Sequence, residues 1–230
     1  MFNEVINFNE FTVFGSRGHT LMILRGAEPI WKNQKKLLAL IDEIENNKVH
    51  PTLGVPIISL EERKLKFNST PVLLTAANSH LRERIANQIA SEGGDLITIR
   101  GLDSPFSEVD QTVEYGVGCV VAPYTRLGSN VRIGVGSQVL STMIAHDVVI
   151  GDFSTLNVNS TVLGHVIIGQ HVTIAPHVVI ANGTPDRPLK IGDGSTIGVG
   201  AVVVKDVKSG ARMIGNPAIT VDEWKDKKSH

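Results

Sequence analysis

The sequence predicts two parts: a small α/β domain with a doubly wound, Rossmann-like parallel sheet over residues 1–105, and an all-β parallel β-helix over residues 106–230. Three observations carry this. Aliphatic residues open a repeat every six positions at Ile150, Leu156, Val162, Ile168, Ile174 and Ile180. Short apolar runs alternate with helical stretches through the first hundred residues. The six-residue step is broken at two places, and both breaks are rich in polar residues.

In the first part, strands are expected at Phe11 to Phe14, Leu37 to Ile41, Val72 to Leu74 and Leu96 to Ile99. Between the last two, Leu81, Ile85, Ile89 and Ala90 recur at helical spacing, and Gly93-Gly94 supplies a stop. Strands alternating with helices favour βαβ units with right-handed crossovers. Asn46 to Pro56, with Pro51 and Gly54, reads as a loop before a short helix at Leu60 to Lys64. Arg82 and Arg84 read as helix-surface charges, and residues 101–112 join the two parts.

The second part follows from its period. Residues six apart on an α-helix diverge by about 240°, whereas an even spacing on strands keeps them on one face. Glycine takes the second hexad position at Gly128, Gly134, Gly151, Gly169, Gly192 and Gly198, where it is expected to permit corner dihedrals. The fifth position is small or β-branched, as at Ser137, Ser154, Val172 and Ala201. Three hexads make an 18-residue triangular coil, so residues 18 apart stack. The flat sides of such an array favour closed symmetric association, and a trimer is the natural expectation. The breaks are the 17-residue step from Ile133 to Ile150 and the 11-residue step from Ile180 to Ile191, each read as one residue lost.

Composition excludes several classes. The formal charge is -1 and 42% of residues are hydrophobic, which argues against a nucleic-acid surface and against disorder. Cys119 is the lone cysteine, read as a small buried hydrophobe, so the chain holds no intrachain disulfide and no thiolate-rich zinc site. The start MFNEVINFNE has no basic n-region and no apolar run approaches a membrane span, so a cytoplasmic protein with no membrane partner is expected.

Two segments carry candidate chemistry. After the first strand comes Gly15-Ser16-Arg17-Gly18-His19, a turn whose backbone N–H groups and helix N-terminus can face a phosphate, although a tight turn needs glycine for steric reasons alone. Asp42 and Glu43 end the second strand, where acids can accept from a ribose or stand as solvated loop charges. The first break precedes His146-Asp147, an imidazole beside a carboxylate that suits a general base; a solvated corner histidine is the plain alternative. His165, His171 and His177 compete for that role; His171 and His177, six apart on neighbouring sides of the coil, look like surface corners. They also raise a zinc enzyme similar to the γ-class carbonic anhydrases, which needs three converging ligands that no spacing here suggests. The second break, Ala181 to Lys190, reads either as a cover over a cofactor or as a passive excursion.

FTVFGSRGHT, LALIDE, MIAHDVVIGDFS, IGVGAVVVKDV and GNPA at Gly215 to Ala218 together resemble the left-handed β-helix acyltransferases. Within them, the likeness is to the two-domain bacterial group of nucleotide-sugar N-acetyltransferases and sialic-acid O-acetyltransferase-like proteins. That resemblance implies transfer from acetyl-CoA, without a metal, to the amine of a nucleotide-linked amino-deoxy sugar, with O-acetylation of a sugar as the alternative and a non-catalytic binding protein as a third reading. It implies His146 as base and Asp147 as its tuner. It places the nucleotide at Gly15, Ser16, Gly18, His19, Asp42 and Glu43, and coenzyme A near Gly164, Ile174, Ala175, Val199, Gly200, Ala201 and Lys205. It further implies a homotrimer with active sites between subunits. The chain departs from the family at Thr155, where a second histidine is common and only a hydroxyl reaches the acceptor, and at Ala77, where the third strand often ends in glycine.

Overall fold

The computed structural model describes residues 2–31, 34–46, 48–101, 104–216 and 218–228. Readings that touch Asn47, Leu102, Asp103 and Pro217 lie outside the described residues. The chain divides into two compact units, Met1–Ile99 with Val117–Cys119, and Arg100–Gly116 with Val120–His230.

In the first unit the elements run β1 (Asn3–Val5), β2 (Glu10–Phe14), α1 (Gly18–Trp31), β3 (Lys36–Ile41), β4 (Lys48–Val49), β5 (Pro56–Ile58), α2 (Leu60–Phe67), β6 (Val72–Leu74), α3 (Ser79–Ser91) and β7 (Asp95–Ile97). The sheet order is β1-β7-β6-β2-β3-β5-β4, parallel throughout except for β4 against β5. The four expected strands are present, and three more were not expected. The segment read as a loop before Pro56 instead forms the β4–β5 hairpin, because Pro56 stands at the first position of its strand, where a missing N–H costs no ladder bond. Val13, Leu40, Leu73, Ile85, Ile89 and Leu96 are fully buried and form the core. Side-chain caps start two helices: Ser59 accepts from Glu62 N and Asn78 from Leu81 N. Gly93, at φ 75°, ends the third just beyond Ser91 as expected.

The second unit is a parallel β-helix of three sheets. Core residues climb one sheet as Val121, Val139, Leu156, Ile174, Ile197 and Met213. They climb the next as Val109, Leu127, Ile144, Val162, Ile180 and Val203, and the third as Tyr115, Ile133, Ile150, Ile168 and Ile191. A short helix, α4 (Val221–Lys228), follows the last coil.

The coil corners correct the expected role of glycine. The position-two glycines are not among the residues with positive φ; their missing side chain is needed for close approach of stacked backbones, since a Cβ on Gly151 would lie 2.5 Å from the carbonyl carbon of Gly169. Left-handed dihedrals fall two residues later. Asn130, Asp147, Asn159, His165, His171 and His177 all have φ between 56° and 59°, and these are residue types that tolerate that region best.

The breaks also read differently. The first is a corner shortened by one residue between Val139 and Ile144, with Ser141 at φ 50°. The second is an insertion, not a loss: Ile168 pairs with Ile191 in the next coil, so 23 residues replace 18 and the segment from Ala181 to Pro188 leaves the coil. The 11-residue step is one side of the triangle, not two.

Candidate functional site

In the first unit, the sheet order reverses about β2, whose neighbours are β6 and β3. Ligand crevices form at such switch points, beyond the carboxyl ends of the strands. A cavity of about 510 Å³ lies there, lined by the turn after β2 (Gly15, Ser16, Arg17, His19), the end of β3 (Asp42, Glu43) and the segment after β6 (Thr75 to Asn78). Gly15 is sterically required: at φ 129°, a Cβ would meet the Thr20 and Thr75 hydroxyl oxygens at 2.4 and 2.5 Å. Those two hydroxyls are hydrogen-bonded to each other across the turn at 2.8 Å. Gly18 is exposed and nothing crowds its Cβ position.

The strand-end acids have structural work. Asp42 accepts from the Ser16 hydroxyl through Oδ2 and from Ile44 N and Glu45 N through Oδ1. Burial opposes its charge, but the Ser16 hydroxyl, the two amides and Arg17 outweigh burial and hold the carboxyl below its usual range. Glu43 accepts from Leu60 N at the start of α2. Arg82 corrects the sequence expectation: it is fully buried, donates to Ala76 O at 2.6 Å, and burial pulls its guanidinium down to about 10. Arg84 is exposed and joins Arg17 at the cavity wall.

In the second unit, His146 and Asp147 occupy one corner. Adjacent strand residues point oppositely, but Asp147 is in the left-handed conformation, φ 56°, and this turns its carboxylate back to the ring. His146 Nδ1 lies 2.7 Å from Asp147 Oδ2. An ionised carboxylate can only accept, so Nδ1 carries the proton and Nε2 keeps a free lone pair. Asn130, one coil earlier on the same corner, donates to Asp147 Oδ1 at 3.0 Å. That amide, followed by the His146 contact, holds the carboxyl of Asp147 below its ordinary value.

His165, one coil later, completes the corner. Its Nδ1 lies 3.8 Å from Asp147 Oδ2 and its ring stands edge-on to His146, 82° between planes and 5.0 Å between centroids. The His146 side chain is 54% exposed and that of His165 23%. His165 therefore belongs to the His146 corner, whereas His171, stacked on Phe153, and exposed His177 turn up on the other two corners. The expectation that no histidine spacing brings metal-ligand types together is also corrected: His146, Asp147 and His165 offer atoms within 4.8 Å of one another. Asn130 was missed from the sequence and His165 was weighed only as a competing base, although both share the fourth hexad position with Asp147, 17 and 18 residues away.

The other residues tied to coenzyme A fall on several faces. Gly164 lies directly against the His146 ring: a Cβ there would stand 2.7 Å from Cε1 and 2.9 Å from Nε2 of His146. Ile174 and Ala201 have side chains wholly inside the coil, so only their backbone can face a ligand. Ala175 is half-buried, and Val199 and Gly200 are exposed at a different corner from His146. Lys205 lines a cavity of about 560 Å³ with Asn182, Arg187 and Asp206, so the excursion from Ala181 to Pro188 forms its wall. Thr155 is buried between Gln138 and Thr173 on another sheet, and the single chain does not bring it to His146.

Residues 147–182 match the family model described as bacterial transferase hexapeptide (six repeats). GDP-perosamine N-acetyltransferase of Escherichia coli O157:H7 is 36% identical over 143 residues, which is 62% of this chain and 63% of that protein. The match thus spans somewhat under two thirds of that relative's length. Among solved structures, WeeI from Acinetobacter baumannii AYE is 29% identical with a TM-score of 0.83, covering 92% of this chain and all of that one. A mutant of perosamine N-acetyltransferase from Caulobacter crescentus, in complex with CoA and GDP-perosamine, shares the fold at 19% identity and a TM-score of 0.81, over 94% and 98% of the two chains. The fold is the one expected, a Rossmann-like sheet followed by a left-handed parallel β-helix. Among the described residues, no helix is long and apolar enough to cross a membrane.

Proposed function

We propose that this chain, a member of the bacterial hexapeptide-repeat transferases, moves an acetyl group from acetyl-CoA to the amine of a nucleotide-linked amino-deoxy sugar. The observation that carries the reading is the corner pair: an exposed imidazole whose Nδ1 is held by a carboxylate and whose Nε2 is left to accept a proton. The relative named as a GDP-perosamine N-acetyltransferase supports an amine acceptor.

In this reading the sugar amine attacks the thioester carbonyl as His146 Nε2 takes one of its protons. The C–S bond then breaks, and the imidazolium returns the proton to the departing thiolate, giving an amide and free CoA thiol. Asp147 orients the ring and stabilises the imidazolium. A positioned base contributes about 10²- to 10⁴-fold, with the rest from alignment and oxyanion stabilisation. The nucleotide occupies the cavity beyond β2, where Gly15, Ser16, Gly18 and His19 meet phosphate and Asp42 and Glu43 border it. Because Asp42 is engaged by the fold, Arg17 and Arg84 join the turn in neutralising phosphate charge. Coenzyme A runs along the β-helix past Gly164 toward Lys205 and Arg187, with Ala175, Val199 and Gly200 supplied from a neighbouring copy in a homotrimer. The setting is cytoplasmic.

Thiol release from acetyl-CoA, assayed against UDP-, GDP- and dTDP-linked amino sugars, tests this. Turnover with at least one of them is expected, and His146→Ala is expected to lose about 10²- to 10⁴-fold of it. Near-wild-type turnover by that variant would sink the reading. Turnover only with hydroxyl acceptors would replace N-acetylation by O-acetylation at the same base.

A further inference from the structure

The corner that carries His146 and Asp147 is built over three coils, and on its third level His165 has no part in the chemistry so far. Gly164 and His165 sit there side by side. Gly164 leaves room for the His146 ring, since a Cβ there would stand 2.7 Å from Cε1 and 2.9 Å from Nε2. His165 stands edge-on to that ring at 5.0 Å and points Nδ1 at the same Asp147 oxygen that holds His146, at 3.8 Å. The backbone secures this level from both sides: His165 N donates to His146 O, and His165 O accepts from Leu189 N beyond the inserted segment.

We propose that Gly164 and His165 form the seat of the base, with His165 a positioning residue that keeps His146 in one tautomer and orientation. This rests on the reading of His146 as base. While His165 is neutral, its ring edge packs His146 in place and leaves Asp147 Oδ2 to the His146 Nδ1–H. Once His165 is protonated, its N–H is drawn to the shared carboxylate, and its positive charge beside His146 opposes a second cation there. The poised state therefore requires both imidazoles neutral. The segment between Ile180 and Leu189, whose Leu189 N donates to His165 O, carries two exposed charges, Asp186 and Arg187. The variants below leave both intact.

Two measurements test this. The first needs no acceptor: ¹⁵N-histidine spectra of the whole protein at neutral pH. Wild type is expected to show His146 as a single Nδ1–H tautomer; in His165→Ala and Gly164→Ala the two tautomers mix, while His165→Phe, which keeps a ring edge, preserves one. The second is the acid limb of kcat with acetyl-CoA and the amino sugar found in the panel above. Its logarithmic slope approaches two in wild type and one in His165→Phe, and His165→Ala loses up to about 10²-fold in kcat with KM for acetyl-CoA unchanged. A single Nδ1–H tautomer in His165→Ala, or a slope of two persisting in His165→Phe, overturns the proposal. If His146→Ala keeps its turnover, the base assignment falls by its own test, while the tautomer spectra still decide whether Gly164 and His165 hold the ring.

Discussion

Asp42 and Asp147 are both aspartates at the end of a strand, both with carboxyls held below their ordinary range, yet they do opposite things. Two of the groups donating to Asp42 are backbone amides of its own turn, so its charge is part of how β3 ends. Asp147 is held by side chains alone, Asn130 on one oxygen and His146 on the other. The α/β unit consumes its polar groups to close turns around the cavity. At the His146 corner the β-helix turns on left-handed dihedrals, and the side chains of His146 and Asp147 are left to each other. Changes in the cavity should thus register as stability, and changes at the corner as rate.

The largest separation is expected from His146→Ala: a loss of about 10²- to 10⁴-fold in kcat with an unchanged thermal midpoint, since an exposed corner side chain is removed. A parallel fall in the midpoint would break the distinction. Gly164→Ala should come next, with up to about 10²-fold lost in kcat. Its new methyl group is relieved by swinging the exposed ring outward, so denaturant midpoints should barely move. Gly15→Ala is the counterpart in the cavity. Its Cβ meets two mutually bonded hydroxyls at a φ that side chains resist, and about 1–3 kcal/mol of stability in the first unit should be lost in urea titrations. The smallest effect is that of Asn130→Ala, which removes the leading cause of the lowered Asp147 carboxyl. A depressed folded value means stability that is present above the unfolded value and lost as pH falls through the folded one. For Asp147 that window lies below about 3.8. In the variant, carboxyl ¹³C shifts should show Asp147 titrating nearer its ordinary value and acid sensitivity narrowing, with turnover at neutral pH little changed.

How much of this could be read from the residues differs between the units for physical reasons. The hexad openings mark buried side chains, and burial leaves a periodic imprint, so Ile150 to Ile180 map onto three sheets without adjustment. Corner geometry leaves a weaker imprint, because several residue types tolerate the left-handed region. Glycine at position two was therefore taken for the bend, while Asn130, Asp147 and His165 marked it two residues on. The 11-residue step could be counted either way until Ile191 was paired with Ile168. In the α/β unit, Phe11 to Phe14 and Val72 to Leu74 were legible as continuous apolar runs, while β4 and β5 were hidden by Pro51, Gly54 and Pro56. Arg82 was misread because helical spacing says which face a residue occupies but not that the carbonyls of Ala76 and Ala77 wait beneath it.

Asp147 and His165 hold the same corner position one coil apart, at a level spacing that is the one between neighbouring strands in any β-sheet, about 4.8 Å. A solenoid thus works as a lattice: two polar residues placed one level apart on a corner are held at a separation set by backbone hydrogen bonding. Dyads and triads can then arise by single substitutions at a repeating address, and the coil beneath need not be redesigned when one appears.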